Sequence, residues 1–190
     1  MLEYIISLDE KLLLLINGAN SELADAFFWK VSNKYFWIPL YLVLLFVVAK
    51  QNSWRHALVF LMSLGLVVGL VDFTSVHLFK DVFERLRPCH QEHLSELVHR
   101  VNNKCGGQYG FISSHASNHF ALAFIFWLQL KHHWKKWTWL FFVWAGTIAY
   151  SRVYLGVHFP TDVIVGALWG SLLGLTLFPI LQVRIDKLVP

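Results

Sequence analysis

Residues 163–183 contain no ionisable side chain, and this run limits the possible folds more than any other feature. A bilayer core of about 30 Å needs roughly 20 mostly apolar residues per helix. Four further stretches approach that standard. Residues 35–49 are uncharged, 57–79 are broken only by Asp72 and His77, 115–130 are uncharged apart from histidine, and 137–150 end at Ser151 and Arg152. Composition agrees: 56% of residues are hydrophobic and 15% charged, against about 45–50% and 25% in globular domains. A disordered, collagenous or ordinary cytosolic chain is excluded. The expected fold is all-α, a polytopic transmembrane helix bundle of about five spans, forming one domain over residues 1–190.

The first thirty residues differ. Asp9, Glu10 and Lys11 interrupt the apolar stretch around residues 12–16, so this segment reads as an amphipathic helix lying at the interface. It does not read as a signal peptide, because Glu3 stands where a basic region belongs and no small-residue cleavage site follows. Gly65 and Gly69, and Gly166, Gly170 and Gly174, recur at a spacing of four, which puts each series on one helical face suited to close packing. Trp127, Trp134, Trp137 and Trp139 flank the basic turn 131–136 and read as an interfacial belt.

The formal charge is +4, from 16 Lys and Arg against 12 Asp and Glu, with a pI near 9.1. On a soluble chain that would suggest nucleic acid. With a mean hydropathy of +0.51, anionic lipid or a phosphorylated substrate is the expected partner, and nucleic acid is not.

The remaining polar residues gather at three span ends: 80–88 after the second span, 111–116 opening the third, and 151–162 between the fourth and fifth. Spans reverse direction at each crossing, so all three clusters lie on one membrane face. Lys80, Arg87 and Arg152 bring three cations together without matching acids, which is costly unless an anion joins them. Guanidinium forks match phosphate oxygens, and a lysine adds a point charge. Ser113 and Ser114 precede a helix, where a cap, free amides and the helix dipole favour the same anion. Two histidines complete a phosphoryl-transfer set. His158 is the expected nucleophile, with Asp162 four residues on to orient its ring, and His115 the general acid. A lone His or Arg at a membrane end is ordinarily a snorkelling anchor; three clusters on one face are not explained that way. Asp72, an acid within a span, is a functional candidate or a cation's partner. His77, Arg85 and His119 receive no role.

At these residues the chain resembles the type 2 phosphatidic acid phosphatase superfamily, whose signature is K-x6-R-P, then P-S-G-H, then S-R-x5-H-x3-D. Lys80, Arg87 and Pro88 match the first part, and Ser151, Arg152, His158 and Asp162 the third. In the middle part Ser113 and His115 are kept, while Ile112 replaces proline and Ser114 replaces glycine. The resemblance implies a helical bundle and metal-independent lipid dephosphorylation through a phosphohistidine. It also implies that Lys80, Arg87, Ser113, Ser114 and Arg152 hold phosphate. No cofactor is expected. Small bacterial members commonly act on undecaprenyl pyrophosphate, so that is the first expected substrate, with lipid A or phosphatidylglycerol phosphate as alternatives. From other classes, a vanadate-dependent peroxidase is opposed by the apolar spans, and a catalytically silent scaffold would survive loss of His158.

The turns opposite the site carry Lys50, Arg55, Lys131, Lys135, Lys136, Arg184 and Lys187 against one acid, Asp186. The positive-inside rule makes that face cytoplasmic, although nine basic residues on the site face weaken the count. Cys89 and Cys105 flank a loop on the site face. A disulfide there would contribute about 3 kcal/mol and require an oxidising compartment; two free thiols are the alternative. Both cues favour an inner-membrane protein with a periplasmic or external site. Cys89, His90, His93, His99 and Cys105 fit no usual zinc spacing, and no metal is expected.

Overall fold

The computed structural model describes residues 2–188. Its helices are α1 (Leu2–Gly18), α2 (Glu22–Ser32), α3 (Ile38–Gln51), α4 (Trp54–Thr74), α5 (Asp81–Phe83), α6 (Ser114–Trp134), α7 (Leu140–Tyr154) and α8 (Pro160–Leu188). A π-helical turn, Ser75–Lys80, joins α4 to α5. No β-strand forms among the described residues; a single antiparallel bridge pairs Leu86 with Tyr109. The starts follow local chemistry. Ser21, Ser53 and Ser113 accept amide hydrogen bonds as N-caps of α2, α4 and α6, and Pro160 opens α8, where its missing N–H costs nothing.

Three stretches are long and apolar enough to cross a membrane: Lys34–Gln51, Trp54–Phe83 and Pro160–Arg184. The other two expected spans are α6 and α7. Helix α7, with 15 residues, is short, whereas α6 is more polar because it packs against α4, α7 and α8 at the bundle centre, where protein rather than lipid surrounds its buried Ser117 and His119. The outer walls are apolar and exposed at Phe46, Met62 and Leu168, as expected for a lipid-facing surface. Of the tryptophans beside the basic turn, Trp137 and Trp139 are exposed, whereas Trp127 and Trp134 pack partly against the core; the Lys131 ammonium lies 5.0 Å from the Trp127 ring centroid.

The two glycine series separate. A Cβ at Gly170 would overlap the Ser117 carbonyl, and one at Gly174 would lie 2.9 Å from the Ala121 oxygen. The last helix therefore lies backbone to backbone on α6. Around Gly65 and Gly69 a Cβ would meet nothing within 4 Å, so this pair makes no close packing within the chain, contrary to expectation.

The N-terminal segment also departs from expectation. It forms two helices, and α1 packs against α7 and α8 while α2 packs against α7. Its polar residues turn inward. Asp9 is 2% exposed and Asn17 1%, because Asn17 Nδ2 donates to the carbonyls of His99 (2.9 Å) and Tyr154 (2.7 Å) while its Oδ1 accepts from the His99 amide (2.8 Å). A polar residue with such partners costs nothing to bury.

Gly170→Ala places a methyl against fixed backbone and should destabilise the bundle by about 1–3 kcal/mol. Gly69→Ala should instead gain up to about 1 kcal/mol from helix propensity. Thermal unfolding of both variants in detergent checks this pair; the same sign of shift in both would refute the seam.

Candidate active site

The three polar clusters meet at one end of the bundle. Local folding sets each in place. The π turn carries Ser75 and Lys80 to the start of α6, where Lys80 Nζ donates to Ser114 Oγ at 2.7 Å and the Ser75 and Ser114 hydroxyls are 2.7 Å apart. Ser75 also donates to the Asp72 carbonyl at 2.8 Å. A hydroxyl has one proton, so Ser114 donates to Ser75, and the chain runs from Lys80 through both serines to that carbonyl. The other Lys80 protons stay available. Helices widen in this way at many functional sites.

Ser113 is fully buried. Its hydroxyl caps α6, accepting from the Ala116 amide at 3.4 Å, and its own amide donates to the Asp162 carbonyl at 2.9 Å. Besides fixing the helix end, Ser113 keeps a hydroxyl proton that no described residue accepts; that proton and the free first-turn amides remain for an anion, whereas the Ser114 proton goes to Ser75. His115 follows in that first turn, half-buried, with its carbonyl accepting from His119 Nδ1 at 2.8 Å.

The third cluster turns through Gly156, whose φ of +68° leaves it left-handed; a Cβ there would also overlap Val98. That turn delivers His158, 1% exposed. Arg87 Nη1 lies 2.9 Å from His158 Nε2 and donates to the Val157 carbonyl at 3.0 Å. A guanidinium only donates, so Nε2 is the acceptor and the ring proton sits on Nδ1. Nδ1 faces Asp162 Oδ2 at 3.4 Å, and the same oxygen accepts from the Phe159 amide at 3.0 Å. Burial, reinforced by the charges of Arg87, Arg152 and Lys80, holds the His158 pKa well below the usual imidazole range. It is therefore a neutral imidazole with its lone pair on Nε2, the form a nucleophile needs.

Arg152 donates through Nη1 to Ser32 Oγ at the end of α2. The Nε–H groups of Arg87 and Arg152 are buried and meet no acceptor among the described residues. Buried donors ordinarily find one. Together with Lys80 they make a pocket rich in positive charge and unused donors, suited to phosphate oxygens.

Sequence reasoning missed the supports. Arg85, given no role, bridges two buried carboxylates: Nη1 to Asp162 Oδ1 at 2.7 Å and Nη2 to Asp9 Oδ2 at 2.6 Å. Its guanidinium also lies 4.0 Å from the Phe159 ring centroid. Asp9 further accepts from the Thr161 amide at 2.9 Å. Burial of Asp9 and the position of Arg85 inside K-x6-R-P were the only signals, and both need the fold to be read. Asp72 lies outside this cluster, exposed, with Oδ1 accepting from Asn118 at 3.3 Å. His77 stacks on Phe73 at 4.1 Å, and buried His119 lies 3.4 Å from the Tyr41 hydroxyl.

Cys89 and Cys105 are bonded to each other. They tie the loop between the first two clusters, whose ends are also pinned by the Arg87 amide on the Gln108 carbonyl (3.1 Å) and the Gly110 amide on the Arg85 carbonyl (2.8 Å). Their sulfurs lie with His90 in one donor cluster, but a disulfide leaves no thiolate for a metal.

Comparison with known proteins gives a consistent picture. Residues 57–186 match the PAP2 superfamily. The chain is 36% identical over 173 residues to a lipid A 4'-phosphatase of Bacteroides thetaiotaomicron, covering 90% of this chain and 76% of the relative. A lipid A 4'-phosphatase of Porphyromonas gingivalis is 35% identical, with 91% and 72% covered. An undecaprenyl-diphosphatase of Sulfolobus acidocaldarius is 31% identical over 146 residues, covering 76% and 63%. Among solved structures, the transmembrane PAP2-type phosphatidylglycerolphosphate phosphatase of Bacillus subtilis superposes with a TM-score of 0.70 at 25% identity, covering 97% of this chain and 87% of that one. Aquifex aeolicus LpxE gives 0.62 at 29% identity, covering 88% and 93%.

Two outcomes check the site's electrostatics. Arg85→Ala leaves the Asp9 and Asp162 carboxylates unpaired and should cost about 3 kcal/mol, read as lost thermal stability in detergent. Nitrogen-15 spectra of the ligand-free protein should show His158 neutral and protonated on Nδ1 throughout pH 6.5–8; a charged ring at pH 6.5 would contradict the arrangement.

Proposed function

The chain is an integral membrane phosphatase of the PAP2 superfamily, and we propose that it removes phosphate from a phosphorylated glycolipid of the cell envelope, the 4'-phosphate of lipid A. The observation that carries the chemistry is the convergence of Lys80, Arg87, Arg152 and Ser114 around His158. The substrate reading rests on the two lipid A 4'-phosphatases, which align over most of the chain. Expectation from sequence put undecaprenyl pyrophosphate first and lipid A second. The motifs serve both, so only wider similarity can rank them, and it favours lipid A. Prenyl pyrophosphate stays as the second reading, supported by the more distant archaeal relative.

In the proposed mechanism, substrate phosphate takes hydrogen bonds from Lys80, Arg87, Arg152, Ser113 and the first amides of α6, and from Ser114 once its proton turns away from Ser75. Arg87 turns from His158 Nε2 toward the phosphate oxygens and frees the lone pair. Nε2 attacks phosphorus as the bond to the sugar oxygen breaks, and His115, which takes up a proton when the phosphate dianion enters the pocket, delivers it to that leaving oxygen. Asp162 accepts the Nδ1 hydrogen bond and stabilises the charge that develops on the ring. Water then attacks the phosphohistidine while His115 takes its proton, releasing inorganic phosphate and restoring both histidines. The three cations supply the charge stabilisation, so no metal enters the scheme.

The site end is assigned to the periplasm or exterior of the inner membrane. Supporting this are the Cys89–Cys105 disulfide on the site-face loop, which suits an oxidising compartment, and the basic turn at Lys131, Lys135 and Lys136 on the other face.

Phosphate release by purified protein from lipid A, undecaprenyl pyrophosphate and phosphatidylglycerol phosphate, with EDTA present, tests the whole reading. Lipid A should show the highest kcat/KM, and His158→Ala should lower it about 10³-fold or more. Loss of activity with EDTA would overturn the metal-free scheme, and a higher kcat/KM for the prenyl pyrophosphate would select the second reading.

A further inference from the structure

Beside the phosphate pocket lie two adjoining hollows that the mechanism above does not use. The inner one, about 290 Å³, has Arg152 and Gly106 in its wall together with Asn33 and Lys104. Gly106 lies directly against the Arg87 guanidinium, where an added Cβ would come 3.4 Å from Cζ. A group esterified to phosphate held by Arg87 and Arg152 therefore has this chamber as its immediate neighbour. The outer chamber, about 500 Å³, is bordered by Asp25, His99, Lys30 and Arg100. Trp29 and Val101 line both, so Trp29 stands where the two meet. The chambers reach the size of small-molecule sites, about 300–1,000 Å³.

Their chemistry distinguishes what enters. Lipid tails would select a wholly apolar channel between the spans, but these walls lie at the site end of the bundle and set the Trp29 indole, Val101, Leu155 and Val157 beside carboxylate, amide, imidazole and cationic groups. That is the pattern for a sugar, whose C–H face stacks on an aromatic ring while its hydroxyls need donors and acceptors at the edge. The polar groups are held in place. Asn33 Oδ1 accepts from the Tyr35 amide at 3.0 Å, so its amide protons are free to turn outward. Asp25 is fixed between His99 Nε2 (2.8 Å) and the Tyr154 hydroxyl (2.7 Å). Lys30, Arg100 and Glu22 are exposed at the outer rim, a mixed-charge edge for the hydroxyls of a second ring.

We infer that these chambers form a carbohydrate subsite, in which Trp29 stacks on the sugar bearing the scissile phosphate and the outer chamber takes the next ring. The inference deepens the glycolipid reading and rests on it. It makes Trp29 a specificity residue: a prenyl pyrophosphate has no sugar and gains nothing from the chambers.

Steady-state kinetics of Trp29→Ala against lipid A and undecaprenyl pyrophosphate test this, with Trp29→Phe as the folding and stacking control. The alanine variant should raise KM for lipid A at least 10-fold with kcat unchanged and leave prenyl pyrophosphate turnover unaltered, and phenylalanine should restore most of the lipid A affinity. Equal losses on both substrates, or none on lipid A, would overturn the subsite while leaving the phosphatase reading intact. Should the wild-type protein not hydrolyse lipid A, saturation-transfer NMR with N,N'-diacetylchitobiose decides. Transfer to the disaccharide that disappears in Trp29→Ala upholds the subsite although the lipid A reading fails; no transfer overturns both.

Discussion

Glycine at 166, 170 and 174 lets α8 lie on α6 with no side chain between them, and the site depends on that closeness. At the top of the seam the Ser113 amide donates to the Asp162 carbonyl at 2.9 Å. That bond fixes the cap of one helix to the first turn of the other. Everything that handles phosphate then has a defined distance. Ser114 and His115 start α6, His158 and Asp162 stand at the start of α8, and the π turn after α4 brings Lys80 onto Ser114. A seam with ordinary side chains would hold the two starts farther apart and leave Asp162 without its partner on α6.

Electrostatics impose the second constraint. Three cations on one buried end repel one another, and the protein offsets this with few acids. Asp162 is committed to Arg85 and to the His158 side of the pocket, so Lys80, Arg87 and Arg152 keep donors that nothing among the described residues consumes. The result is a site poised for a dianion. Burial, reinforced by the same crowding, keeps His158 neutral, and the donor-only chemistry of Arg87 decides which ring nitrogen carries the proton. Nucleophile preparation and phosphate binding thus come from one set of side chains.

Much of this was legible before any coordinates. The uncharged runs gave the spans, and the spacing within 80–88, 111–116 and 151–162 gave nearly every residue at the pocket. What could not be read was what depends on contact between distant segments. Asp9 looked like a solvent-facing interruption of an amphipathic helix, and only the packing of α1 on α8 turns it toward Arg85. Gly65 and Gly69 share the spacing of the α8 series, yet periodicity alone does not say whether a neighbouring helix approaches that face. Likewise α6 falls short of an ideal apolar span because the bundle itself shields its polar residues. Substrate preference was illegible for a different reason: the motif residues are assigned to the phosphate, which all candidate lipids share.

The ion network around Arg85 has a consequence for biosynthesis. Asp9 and Thr161, which meet in it, are 152 positions apart in the chain, and α8 must be inserted and packed before they can touch. Until then His158 has no oriented carboxylate, α1 has no anchor, and the phosphate pocket lacks its third cluster. A chain halted part-way through membrane insertion therefore carries no hydrolytic activity toward the lipids around it, and competence arises only with completion of the bundle.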